Sequence, residues 1–140
     1  MTAGAGAGEQ TRVEVAVTTD ADVVTARLEG RSLASEIGFA STELALIATA
    51  ISEVARNLVA HAGRGTIVIT AVDGPAGPGI EVVAHDNGPG IPDIDRAMQD
   101  GFTTGDGLGF GLPGARRLMD EFEITSAPGK GTTVRMTKWV

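Results

Sequence analysis

The chain has 140 residues, 42% of them hydrophobic and 21% charged, with a formal net charge of −7 and no cysteine. That length suits one hydrophobic core, and the missing cysteines exclude disulfides, a thiolate nucleophile and cysteine-based zinc sites. The acidic balance argues against a nucleic-acid partner, which needs a basic footprint.

The 20 glycines are about twice the usual share of roughly 7%, so particular turns or a ligand loop must use the excess. Residues 1–10 are rich in Gly and Ala and read as a flexible tail. They carry neither the basic start nor the apolar core of a signal peptide. With no run of about 18 apolar residues, no transmembrane helix is expected, and a cytoplasmic, membrane-free protein is the expectation.

From Thr11 to Thr18, Val13, Val15 and Val17 alternate as in a strand. Asp20 then reads as the N-cap of a helix running to about Glu36, ended by Gly38. Ser41 reads as the N-cap of a second helix, in which Leu44, Ile47, Ala48, Ile51, Ala55 and Leu58 recur at spacings of three and four. Gly63 is its stop. Residues 65–72 and 80–86 read as two strands of a hairpin, with the turn spread over DGPAGPG at 73–79. A short helix is expected near 94–98, and a last helix from about Pro113 through Asp120. Residues 122–126 and 132–140 read as two final strands around the turn APGKG. This order implies an α/β (α+β) two-layer sandwich: a mixed, mainly antiparallel sheet with helices on one face. No linker divides residues 11–140, which read as a single domain.

Four stretches carry chemistry. Glu53 and Asn57 are four residues apart on the second helix, hence on one face beside the apolar stripe. Taken alone, they better suit a helix-edge pair that hydrogen-bonds to a neighbour. Arg56 reads as a surface cation and His61, on the same face, as a packing or solvent-facing residue. Asp86 ends an inward row with Ile80, Val82 and Ala84, where a carboxylate needs a donor such as a ligand amine. Gly88 and Gly90 follow it and let backbone approach a flat ring, although a bland turn has the same composition. His85 falls on the opposite face and reads as structural. Residues 105–114, GDGLGFGLPG, lead into a helix N-terminus and can cradle phosphates with backbone N–H groups. They do not directly follow a strand, which excludes the dinucleotide fingerprint, and no P-loop motif occurs. Finally, Gly129-Lys130-Gly131 precedes Thr132, which places a hydroxyl on an apolar face with Val134 and Met136.

The order of these stretches is more specific than any one of them. Glu53-x-x-x-Asn57, Asp86-x-Gly88-x-Gly90, the run Gly107–Gly111 and Gly129-x-Gly131-Thr132 resemble the N, G1, G2 and G3 boxes of the GHKL ATPase/kinase superfamily, with its Bergerat fold. Within it, the chain is most similar to RsbT-like stressosome switch serine/threonine kinases, and more distantly to anti-sigma-factor kinases. The resemblance covers roughly residues 11–140. Asp106 departs from the small neutral residue expected in the lid.

The resemblance implies ATP and Mg²⁺ as cofactors. It assigns Asp86 to the adenine amine, with Thr132 and a water completing the polar edge. Asn57 is implied as the magnesium ligand, Gly107, Leu108, Gly109 and Gly111 as the triphosphate wrap, and Glu53 as the general base, with Lys130 equally an electrostatic aid or a solvated turn residue. It also implies phosphorylation of a serine on a STAS-domain antagonist or scaffold protein, with a PPM-type phosphatase as the activated target in a stress-response pathway. The alternative is an ATP-binding anti-sigma factor or a non-catalytic interaction switch.

Overall fold

A computed structural model describes residues 11–91, 93, 94, 98 and 111–140. The elements run β1 (Arg12–Val17), α1 (Asp20–Ile37), α2 (Ser41–Ala62), β2 (Gly65–Gly74), β3 (Gly77–Asp86), α3 (Gly111–Leu118), β4 (Glu121–Ser126) and β5 (Thr132–Trp139). The strands form one five-stranded sheet in the order β1-β2-β3-β5-β4. Every pairing in it is antiparallel, so the expected mixed component is absent among the described residues.

Register explains which face is buried. Val15 pairs with Ile67, Ile67 with Ala84, Ala84 with Val134 and Val134 with Ile124, so one apolar row crosses all five strands. A parallel row joins Val13, Ile69, Val82, Met136 and Phe122. Helices α1 and α2 lie on this face, and Ile47, Ile51 and Val54 of α2 meet Ile67, Ile69 and Ile80 of the sheet in the core. Each fully buried isoleucine contributes about 1.5–3 kcal/mol. Gly30 sits in the interior of α1, where glycine ordinarily costs stability. A Cβ there would overlap the tip of Ile51, so the glycine is where α1 closes on α2.

The helix starts differ from expectation. Thr19, not Asp20, caps α1, in a reciprocal capping box with Asp22. Asp22 Oδ2 accepts from the backbone N–H groups of Thr18 and Thr19 at 2.8 and 3.1 Å and from the Thr18 hydroxyl at 3.0 Å. These bonds hold the Asp22 carboxyl below its usual range, the Thr18 backbone bond being the largest cause. Asp20 becomes the first helical residue, where a negative charge still complements the helix dipole. Ala40 is the N-cap residue of α2 and Ser41 is already helical, with no side-chain cap. The buried Phe39, whose N–H bonds back to Ala34 O, fixes the chain's entry there instead. Gly38 and Gly63 end the two helices in left-handed conformations, as expected.

The β2–β3 hairpin is also tighter than the sequence suggests. Gly74 pairs with Gly77, so only Pro75 and Ala76 form the turn. The Trp139 ring explains the longer strands: it covers Gly74 and Gly79, and a Cβ on either would overlap it. The last helix carries Pro113 in its first turn, as expected, but stops at Leu118, whose carbonyl accepts from Lys138 Nζ at 3.1 Å. Met98 N–H donates to Ile94 O at 3.0 Å; the residues between them, where a short helix is expected, lie outside the described residues.

By length and mean hydropathy (1.2), α2 could cross a membrane. Its apolar side instead forms the centre of the core, with Leu44, Ile47, Ala50, Ile51, Val54, Ala55 and Leu58 all buried.

Candidate functional site

The site forms where the ends of α2, β3 and β5 meet. Val54, Asn57, Leu58, His61 and Ala62 of α2 line one cavity with Ala84 and Asp86 of β3, Pro89, Gly90 and Ile91, and Thr132 and Val134 of β5. The cavity is a cleft partly open to solvent, with about 370 Å³ of empty space when the solvent at its mouth is included. Val54, Leu58, Ala84, Ile91 and Val134 give it apolar walls. Asp86, Thr132, Asn57 and His61 supply its polar side chains. The helical period that buries Leu58 puts Asn57 at the rim of the core, and the strand alternation that buries Val82 and Ala84 turns Asp86 inward.

Asp86 is 7% exposed. Its Oδ1 accepts the Gly88 backbone N–H at 2.7 Å, the only hydrogen bond its side chain makes among those described. Oδ2 remains to accept from a ligand, since an ionised carboxylate offers lone pairs only. Thr132 is the cross-strand partner of both Asp86 and Ser126.

The two glycines after Asp86 meet protein rather than open space. A Cβ on Gly88 would press on Ala62, and one on Gly90, with φ +81°, would overlap the Ala127 carbonyl oxygen. Gly131, also at φ +81°, lies as close to the Asp86 carbonyl. Gly129 N–H donates to Pro89 O at 2.7 Å. The loops after β3 and β4 are therefore clasped backbone to backbone. Glycine is required there chiefly by this contact.

Glu53 does not line the cavity. It lies one helical turn before Asn57, 12% exposed at its side chain, with Oε2 held by Arg56 Nη2 at 2.6 Å. Arg56 is 44% exposed at its side chain and is an ion-pair partner rather than a free cation. Gly111 opens α3 with φ +45°. The expected Gly107, Leu108 and Gly109, with Asp106, lie outside the described residues. Lys130 is exposed, with its backbone N–H on Ala127 O in the turn. His85 contacts Thr133 Oγ1 at 2.8 Å on the sheet's open face, away from the cavity.

Sequence reasoning missed two residues. His61 lines the cavity rather than merely packing or facing solvent; its place eight residues after Glu53, on the face of Asn57, was the available signal. Ser126 left no such signal. It ends β4 and joins three segments: Ile91 N–H donates to its Oγ at 2.7 Å, the Oγ donates to Gly131 O at 3.0 Å, and Thr132 Oγ1 is 2.8 Å away.

The chain is similar to known proteins over most of its length. The chain is 49% identical over 126 residues to the serine/threonine-protein kinase RsbT of Bacillus subtilis (strain 168), covering 90% of this chain and 95% of the relative. It is 39% identical over 119 residues to an anti-sigma F factor of Thermoanaerobacter sp. (strain X514), covering 82% and 83% of the two chains. The anti-sigma F factor of Bacillus subtilis (strain 168) is 32% identical over 122 residues, or 81% of each chain. Since residues 10–138 also match the histidine kinase-like ATPase domain, the chain belongs to that family.

Proposed function

We propose that the protein is an ATP-dependent serine/threonine-protein kinase of a bacterial partner-switching pathway, acting in the cytoplasm on STAS-domain antagonist or scaffold proteins. The observation that carries this reading is the cavity shared by Asp86, Thr132 and Asn57, in a chain similar over 90% of its length to a serine/threonine kinase.

In this reading the apolar walls hold the adenine ring, and the free oxygen of Asp86 accepts from its exocyclic amine. Gly107, Leu108, Gly109 and Gly111 offer backbone N–H groups to the triphosphate, aided by the N-terminus of α3. The donors suit a magnesium ion: the Asn57 amide oxygen is a hard ligand, and no cluster of three or more His, Asp or Glu competes among the described residues. Such an ion keeps several waters and takes few protein ligands. Asn57 would hold it, and when bound it neutralises phosphate charge.

Glu53 is the general base. Arg56 occupies Oε2, which leaves Oε1 to take the proton of an incoming serine hydroxyl. The serine oxygen bonds to the γ-phosphorus, the bond from that phosphorus to the bridging oxygen breaks, and ADP leaves. Positioning and charge stabilisation dominate such a transfer. Phosphorylation of the STAS protein would release the kinase to activate a PPM-type phosphatase.

A second reading, an ATP-binding anti-sigma factor that acts by sequestration, draws on the similarity to anti-sigma F factors. Glu53 favours the kinase, because nucleotide binding alone needs no carboxylate one turn before Asn57. The test is incubation with γ-labelled ATP, magnesium and STAS-domain proteins, followed by phosphosite mapping. Label on a STAS serine is the expected result. ATP binding without label on any partner would turn the assignment to the sequestration reading.

A further inference from the structure

We propose that Ser126 sets which purines the cavity accepts, by fixing the Thr132 hydroxyl as a hydrogen-bond acceptor. The inference rests on the ATP reading of the cavity. A serine hydroxyl has one hydrogen and two lone pairs. The Gly131 carbonyl only accepts, so at 3.0 Å it takes the Ser126 hydrogen. The Ile91 N–H only donates, so at 2.7 Å it takes one Ser126 lone pair. The 2.8 Å contact with Thr132 then needs the Thr132 hydrogen, directed at the second lone pair of Ser126. No other assignment satisfies all three contacts.

Thr132 has thereby spent its hydrogen and offers the cavity lone pairs only. Asp86, its cross-strand neighbour, also offers lone pairs only, with one oxygen already held by Gly88 N–H. On its Asp86–Thr132 side the cavity thus presents a pair of acceptors, while Asn57 and His61 line it from α2. A 6-amino purine brings an amine to that pair. With the 6-substituent set between Asp86 and Thr132, a 6-oxo purine brings a carbonyl, which meets lone pairs from both sides. Ser126 stands behind Thr132, outside the cavity lining, and acts as a positioning residue.

The test compares ATP and inosine triphosphate by calorimetry on the full chain. In Ser126→Ala the Thr132 hydroxyl is free to turn its hydrogen inward. ATP affinity should change by less than about threefold, while the preference for ATP over inosine triphosphate falls by about tenfold, the effect of one neutral hydrogen bond. Thr132→Val should lower the same preference, and adding Ser126→Ala to it should change the preference no further. Equal weakening of both nucleotides, with the preference intact, would overturn the proposal. So would a shift of the same size in the Thr132→Val background. If Ser126→Ala does not fold, as judged by circular dichroism, Thr132→Val decides alone, and an unchanged preference overturns the proposal. Asp86→Asn separates the two levels of argument. If the wild type does not bind ATP, or Asp86→Asn binds it as well as the wild type, the ATP reading falls and takes this inference with it. If Asp86→Asn loses ATP while the Ser126→Ala preference stays put, only the role of Ser126 falls.

Discussion

Gly131 lies against the backbone of Asp86 so closely that a Cβ on the glycine would overlap the aspartate's carbonyl oxygen. The contact joins the start of β5 to the end of β3 at the residue proposed to read the purine. A mirror contact joins Gly90 to Ala127. The two loops thus hold each other, and the cavity wall between them depends on both glycines.

Gly131→Ala should therefore damage the site through its scaffold. The φ of +81° alone costs a non-glycine residue about 1–3 kcal/mol, and the overlap with Asp86 adds to it. Urea unfolding should show a lower midpoint, and ATP binding by calorimetry should weaken in the same variant. A midpoint equal to wild type would show that the loops tolerate separation.

Asp86→Asn keeps a carbonyl oxygen for the Gly88 N–H, so the fold should survive. The amide replaces half of the acceptor capacity with donors, which face the donor amine of adenine. ATP affinity should fall by at least about tenfold, as expected for losing a hydrogen bond to a charged group. Unweakened binding would remove Asp86 from the purine site.

Glu53→Gln retains the side chain's shape and removes its basicity. Phosphate transfer to a STAS partner should fall by about 10²–10⁴-fold, with ATP affinity nearly unchanged because Glu53 does not line the cavity. Transfer at the wild-type rate would end the role of Glu53 as base.

The capping box of α1 should make stability depend on pH. Asp22 has a native value depressed below the usual 3.8 by its bonds to Thr18 and Thr19. Its contribution is therefore complete above that value and is lost as the pH falls through the native one. Asp22→Ala should melt below wild type at neutral pH, and the gap in Tm should close on acidification below the ordinary aspartate range. A gap independent of pH would mean that Asp22 acts through packing rather than charge.

The periodic elements were legible in the sequence. The three-and-four spacing from Leu44 to Leu58 located α2, and alternation through Ile80, Val82 and Ala84 placed Asp86 on the inner face. What escaped depends on partners distant in the chain. The Pro- and Gly-rich stretch at 73–79 reads as a long turn until Trp139 is seen covering Gly74 and Gly79. Ser126 looks like any strand-end serine until the order β3-β5-β4 brings it to Thr132. For Gly88 and Gly90 the sequence suggests backbone approach to a ligand ring, and it gives no sign of their close contacts with Ala62 and Ala127, which the fold brings from elsewhere in the chain.

Strand β3 runs from the Pro75–Ala76 turn at one end to Asp86 at the other. At roughly 3.4 Å per residue, these ends stand about 30 Å apart. The hairpin tip is thus a natural handle: a fluorophore or surface tether attached at Ala76 would report on the molecule, or immobilise it, from the side remote from the cavity.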